Sequence, residues 1–171
     1  MHAEILVLRL IHILSGIAWV GSGIFTSFFL VPALSSSPAV MGQVMAALQR
    51  RRMFIILPTV ATLTILSGLR LLWIASGGFA PSYFATGTGR TFALSGLAAI
   101  VAYVLAFGVA RPLAVRMGAI AATLNAVTEP SERDRLSARL ARLQRRATMA
   151  TMMAVGFGII AASGMAIARY V

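Results

Sequence analysis

The side chains best suited to chemistry in this sequence are its two histidines, His2 and His12, because the chain has no cysteine and only four carboxylates. If the segment is helical, about ten residues separate the two by about 15 Å, so they cannot ligate one metal ion within a single chain. We expect His2 to be solvated. His12 lies inside a long apolar run, where an ionisable residue is a functional candidate by default.

Two interpretations of His12 stay open. Its imidazole can ligate haem or another tetrapyrrole, or a neutral ring can hydrogen-bond to a serine or a backbone carbonyl across a helix interface. His12, Gly16, Trp19 and Gly23 recur at helical spacing, which predicts that the ring points into a bundle and makes Trp19 a further candidate contact for a cofactor. Met165, at a similar predicted depth, is the candidate second ligand, with core packing as its alternative.

Arginines at the predicted outer helix ends form a second candidate group: Arg9, Arg70, Arg90 and Arg169. Arg9 and Arg70 lie well inside apolar runs, and Arg9 can reach Glu4 or His12 on the same helix face. Such a ring could hold haem propionates or another anion through charge-assisted hydrogen bonds. The alternative is that these side chains extend to lipid headgroups.

Composition places these residues in a membrane protein. The 171 residues are 59% hydrophobic and 11% charged, with a mean hydropathy of +0.89, and a soluble domain needs more charge to cover its surface. The net charge of +11 would suggest nucleic acid in a soluble protein. Here the basic residues cluster between apolar runs, as the positive-inside rule predicts, so we expect no nucleic-acid binding.

Four segments are long enough to cross a bilayer core of about 30 Å, which takes about 20 apolar residues. They are residues 5–34, 53–76, 91–111 and 147–170. Backbone groups in lipid must be satisfied internally, so these segments are helices. The predicted fold class is all-α: one transmembrane domain, residues 1–171, formed by a four-helix bundle.

The connections predict an orientation. Basic residues are concentrated in 35–52 and 112–146, which places both connections in the cytoplasm. Both termini then lie on the outer, periplasmic face of a bacterial inner membrane.

The first apolar run is too long for a signal-peptide core, so we expect it to remain as a helix. Val40, Val44 and Leu48 recur at helical spacing, which predicts a short surface helix.

The third connection carries a stripe of leucines among its charged residues, namely Leu136, Leu140 and Leu143. This pattern is also compatible with a fourth helix that extends into the cytoplasm.

A weak internal repeat relates the two halves of the chain. Leu14-Ser15-Gly16 precedes Pro32 by the interval at which Leu94-Ser95-Gly96 precedes Pro112. Gln-Arg-Arg leads into the second and fourth spans, which carry Ser67-Gly68 and Ser163-Gly164 near their ends. A parallel repeat of this kind predicts two related helix hairpins and pseudo-two-fold symmetry about the membrane normal.

The first span, from Leu8 to Gly21, combines Leu10-Ile11-His12 with Trp19-Val20-Gly21. It resembles the "leucine–histidine, then tryptophan–glycine" opening of a group of bacterial four-helix membrane proteins. That group includes an uncharacterised bacterial integral membrane family and the more distant copper-resistance D-like and HemJ-like (protoporphyrinogen oxidase) proteins. In the HemJ-like branch, the resemblance implies that the histidine at the position of His12 ligates haem.

The chain departs from the redox-active branches of that group, because spans two to four contain no histidine. A bis-histidine site within one chain is therefore excluded. The methionines are too scattered for a copper pathway.

Three functions from different classes remain. The first is a small membrane protein that binds haem b through His12, with the outer arginines on the propionates. The second is a non-catalytic accessory subunit of a larger respiratory or photosynthetic complex, or a homo-oligomer, that packs through glycine-rich faces. The third is an enzyme of the HemJ-like type acting on a porphyrin. The enzyme is the least favoured, because the spans hold no pair of carboxylates for proton transfer.

Overall fold

The computed structural model describes residues 2–124 and 126–171, which are helical with short connections and contain no strand. Four helices are long and apolar enough to cross a bilayer: α1 (His2–Leu34), α3 (Met53–Ala75), α5 (Gly87–Leu124) and α6 (Pro130–Tyr170). Two shorter helices, α2 (Pro38–Arg50) and α4 (Pro81–Phe84), lie in the first two connections. The all-α fold with four long apolar helices is confirmed.

The helices pack through small residues. The largest interfaces join α1 to α3 and α5 to α6, and smaller ones join α3 to α5 and α1 to α6. The buried apolar side chains are mainly alanines, including Ala61, Ala98, Ala102 and Ala161. Many large aliphatic and aromatic side chains are exposed. This distribution suits a bilayer, where close contact between helix backbones drives packing and lipid covers the apolar exterior.

The first and third of the four long helices, α1 and α5, each widen into a π-helical segment just before a proline. These segments are Thr26–Leu30, before Pro32, and Val104–Ala110, before Pro112. Proline lacks the N–H that an α-helix needs, and its ring crowds the preceding turn, so an adjustment of the hydrogen-bond pattern is expected there. The two prolines occupy equivalent positions in the predicted repeat.

The connection predicted at 112–146 is largely helical, so the third and fourth helices are longer than the apolar runs alone indicated. α5 continues to Leu124, and α6 begins at Pro130. The α-helical part of α6 has 38 residues, or about 57 Å, well beyond a core of about 30 Å. The predicted leucine stripe is partly buried where α6 packs on the end of α5.

The start of α5 also lies earlier than the predicted residue 91. Thr86 is its N-cap, and the hydroxyl oxygen of Thr86 accepts a hydrogen bond from the Gly89 N–H at 3.0 Å. A capping threonine satisfies one of the free amide groups of the first turn, so the helix can begin within a glycine-rich segment.

Candidate functional site

His12 lies on α1 with its imidazole turned toward α3 and α6. Its Nδ1 is 2.8 Å from the backbone carbonyl oxygen of Thr64. Because a carbonyl only accepts, Nδ1 must carry the hydrogen and donate it. In a neutral ring, Nε2 then carries a lone pair and no hydrogen.

The second ring nitrogen faces a sulfur atom. Nε2 of His12 is 3.4 Å from Sδ of Met165 on α6. A thioether has no hydrogen to donate, so two acceptor atoms meet when the imidazole is neutral. The contact becomes a hydrogen bond only if Nε2 is protonated. Nε2 is therefore a basic atom without a donor partner in this arrangement.

Gly68 on α3 makes the position of the ring possible. A Cβ atom at Gly68 would lie 2.7 Å from Cε1 of His12, closer than real Cβ contacts come. Beside the ring, the Thr64 hydroxyl donates to the Ser15 hydroxyl oxygen at 2.9 Å. The α1–α3 interface thus combines a close glycine contact with hydrogen bonds that fix the depth of His12 relative to α3.

The helix face predicted to point inward does so. A Cβ at Gly16 would be 3.6 Å from the Thr64 side chain, and one at Gly23 would be 3.5 Å from the Val155 side chain. The space above these glycines is therefore filled by α3 and α6.

As placed, Nε2 of His12 and Sδ of Met165 are 3.4 Å apart, which leaves no space for a metal ion between the two atoms. Met165 as a second ligand stays a prediction. By contrast, the Nδ1–H to carbonyl bond of His12 is the second-shell contact that ligating histidines make. The surroundings of His12 therefore fit a ligating histidine.

The guanidinium group of Arg70 is paired with a carboxylate. Its Nε and Nη2 donate to Oε1 of Glu4 at 3.0 and 2.6 Å, which ties the start of α1 to the end of α3. The sequence placed Glu4 within reach of Arg9 on the same helix. The observed partner is Arg70, and in residues 2–124 and 126–171 Arg9 makes no hydrogen bond or ion pair with Glu4 or His12 through its side chain.

Arg90 and Arg169 are both exposed, and the guanidinium carbon of Arg169 is 5.8 Å from the ring centroid of Tyr170.

Trp19 belongs to a group of aromatic side chains that is separate from the surroundings of His12. Its ring lies 6.1 Å from that of Tyr103 and 6.4 Å from that of Phe107, both on α5. The Tyr103 hydroxyl in turn is 3.0 Å from the hydroxyl of Thr62. Trp19 lies two helical turns from His12, or about 10.5 Å. It contributes to an aromatic cluster between α1 and α5 and does not form a wall beside the histidine.

An open cavity of about 350 Å³ lies at the end of the bundle where α1 begins and α3 ends. The Glu4–Arg70 pair lines it, together with Ile5 and Trp73. Sequence reasoning singled out Arg70 and missed the cavity, because the partner of Arg70 comes from another helix. Thr64 and Ser67 were missed as partners of His12 for the same reason, although their spacing from Gly68 places all three near one face of α3.

In the part of the chain that the structure describes, no group of three or more His, Cys, Asp or Glu side chains is placed to hold a metal ion. A metal at His12 would therefore need most of its coordination from a prosthetic group. The resemblance of the first span to the haem-ligating branch stays a prediction. Comparisons with protein-family models, curated proteins and solved structures each give no match.

Proposed function

We propose that this protein is a small integral membrane protein that binds haem b through a single axial ligand, Nε2 of His12. The observation that supports this most directly is the bond from Nδ1–H to the Thr64 carbonyl. That bond selects the tautomer whose Nε2 can coordinate a metal, and it orients the ring. Bound haem would supply one-electron or ligand-binding chemistry.

Each neighbouring residue has a separate task in this proposal. The Thr64 carbonyl holds the imidazole, and Gly68 keeps the space that the ring needs. Met165 moves aside, which an unbranched and flexible thioether can do. Arg9 lies one helical turn from His12, about 4.5 Å along the axis, and is exposed. It is the better placed arginine for a propionate, because the charge of Arg70 is already balanced by Glu4.

We further propose that His12 lies in the outer half of a bacterial inner membrane, with both termini on the periplasmic face. The support is the distribution of arginine. Arg50 ends α2 and is followed by Arg51 and Arg52. Six more arginines lie in residues 133–146, whereas residues 77–90 hold one. Short basic connections stay in the cytoplasm.

The pairing of helices supports the proposed repeat. The two largest interfaces lie within the pairs α1–α3 and α5–α6. The π-helical segments of α1 and α5 each end two residues before a proline, Pro32 or Pro112. We infer two related hairpins, of which only the first carries a histidine in its membrane-spanning part.

A second candidate is a non-catalytic accessory subunit of a larger respiratory or photosynthetic complex, or a homo-oligomer. The observation that favours it is the exposure of α1, since only 11% of its most apolar stretch is buried. Leu6, Leu10, Leu14 and Ile17 form a stripe that is about 60% exposed or more. Another protein or lipid can cover this stripe. An enzyme of the HemJ-like type has less support, since the apolar parts of the described helices hold no pair of carboxylates, and Glu4 at the start of α1 is paired with Arg70.

The test is an absorption spectrum of the protein purified in mild detergent after expression with ample haem, recorded oxidised and reduced. We expect a Soret band that shifts on reduction, is lost in His12→Ala and is kept in Met165→Leu. A colourless wild type would remove the haem proposal. Isolation of the colourless protein within a larger complex would then favour the accessory subunit.

A further inference from the structure

The cavity beside Glu4 and Arg70 has properties that the haem proposal does not use. It lies between the start of α1 and the end of α3, where Trp73, Ile5 and Ile74 form its apolar wall. A volume of about 350 Å³ is at the small end of the range for ligand pockets. It suits a compact polar group rather than a whole lipid.

The two charged side chains are joined in a way that leaves part of each free. Both bonds from Arg70, from Nε and from Nη2, go to the same oxygen, Oε1 of Glu4. Within the described residues, no hydrogen bond is formed by Oε2 of Glu4 or Nη1 of Arg70. The side chains of Arg70 and Glu4 are 50% and 42% exposed, so a ligand can reach both free groups.

This arrangement selects by charge. An anion would be attracted by Arg70 and repelled by the adjacent carboxylate. A cation would be attracted by the carboxylate and repelled by Arg70. A ligand that carries both charges can place an anionic group on Nη1 and an ammonium on Oε2, and each contact is charge-assisted. The cavity is therefore complementary to a zwitterion.

The position of the cavity points to a lipid as the source. Arg70 lies five residues before the end of α3, and Glu4 two residues after the start of α1. Both are thus near the level where long apolar helices leave the hydrocarbon core. Tryptophan is enriched at this interface because its ring is amphipathic, and Trp73 lines the cavity. An apolar wall beside a charged pair matches the junction of headgroup and acyl chains.

We propose that this cavity binds the headgroup of a zwitterionic phospholipid with a primary ammonium, phosphatidylethanolamine, with its phosphate on Arg70 and its ammonium on Glu4. A quaternary ammonium cannot donate a hydrogen bond to Oε2, so phosphatidylcholine binds more weakly. Phosphatidylglycerol is anionic and has no ammonium group, so the carboxylate repels it and no favourable contact offsets that repulsion. The site does not depend on haem at His12.

The experiment is native mass spectrometry of the full-length protein with equimolar phosphatidylethanolamine, phosphatidylcholine and phosphatidylglycerol. We expect wild type to retain phosphatidylethanolamine about tenfold better than either other lipid, the effect of one charge-assisted hydrogen bond. Glu4→Gln should shift the preference toward phosphatidylglycerol, and Arg70→Gln should lower retention of all three. Arg90→Gln, an exposed arginine outside the cavity lining, is the control and should behave as wild type.

The charge-reversed double variant, Glu4→Arg with Arg70→Glu, keeps an ion pair and guards against a folding defect. It should restore the preference for phosphatidylethanolamine that the single variants lose. Equal retention of the three lipids by wild type would overturn the proposal. An unchanged preference in Glu4→Gln would do the same, because the carboxylate would then have no part in selection.

Discussion

Nε2 of His12 lies 3.4 Å from Sδ of Met165, and neither atom carries a hydrogen when the neutral ring donates through Nδ1 to Thr64. A polar atom held inside an apolar bundle without a donor is unfavourable. A metal ion at Nε2 would relieve that state, and the haem proposal uses this free lone pair.

Met165→Leu tests whether the methionine is a ligand or a packing residue. Leucine has a similar volume and no sulfur, so the bundle should tolerate it with a loss under about 1.5 kcal/mol. If His12 is the only axial ligand, haem binding and the reduction potential should be unchanged. Axial methionine raises the potential of a haem. A marked fall in the potential of Met165→Leu, measured by redox titration, would show that Met165 is a ligand.

Gly68→Ala should displace the imidazole of His12. The new Cβ would lie 2.7 Å from Cε1, so the ring must move and its bond to Thr64 is strained or lost. We expect a destabilisation of about 2 kcal/mol from overpacking and the lost hydrogen bond, together with loss of haem. The measurement is thermal unfolding in detergent followed by circular dichroism, with the absorption spectrum recorded in parallel.

Gly156→Ala on α6 is the matched control for that experiment. A Cβ at Gly156 meets nothing within 4 Å, and alanine favours a helix over glycine by about 1 kcal/mol in water. This variant should unfold at the wild-type temperature or above it and keep its spectrum. If Gly68→Ala behaved like Gly156→Ala, the close contact between His12 and α3 would be refuted.

The contact between Gly164 of α6 and Ser95 of α5 offers a second test of packing. A Cβ at Gly164 would overlap the Ser95 hydroxyl and lie 3.4 Å from its Cβ. We expect Gly164→Ala to lower the unfolding temperature and Ser95→Ala, which removes the hydroxyl, to recover part of the loss. A double-mutant cycle measures the coupling. Additive effects of the two substitutions would mean that the side chains do not meet in the folded protein.

The parts of the fold that could be predicted from the sequence are those that depend on local interactions. The four apolar runs are long, and backbone satisfaction in lipid leaves only helices for them. The inward direction of His12 was available from its spacing with Gly16 and Gly23 and agrees with the contacts of all three. The leucine stripe at 136–143 indicated that α6 is longer than its apolar part.

Contacts between helices could not be predicted in the same way. Thr64 meets His12, and Glu4 meets Arg70, because α1 and α3 pack at one particular axial offset. That offset depends on small residues such as Gly68, whose role is visible only beside its neighbour. Sequence reasoning therefore paired Glu4 with the nearby Arg9. Pro32 and Pro112 served only to align the internal repeat, and the π-helical segments before them were not predicted.

Arg9→Ala should weaken haem retention more than Arg70→Ala does. The charge of Arg70 is balanced by Glu4, whereas the exposed Arg9, one turn from His12, can pair with a propionate. The measurement is the rate of haem loss to an excess of an apo-haem scavenger protein, with Arg146→Ala, in the charged part of α6, as the control. The same rate in Arg9→Ala and Arg146→Ala would show that Arg9 does not hold the ligand.

The orientation is open to a direct test, because the sequence has no cysteine to confuse labelling. Ser82 in α4 and Ser131 at the start of α6 are both exposed, so burial will not limit the reaction at either site. With basic connections in the cytoplasm, a membrane-impermeant maleimide should label Ser82→Cys in intact spheroplasts. Ser131→Cys should react only after the membrane is permeabilised. The opposite pattern would place His12 in the cytoplasmic half of the bilayer and the Glu4–Arg70 cavity at the inner leaflet.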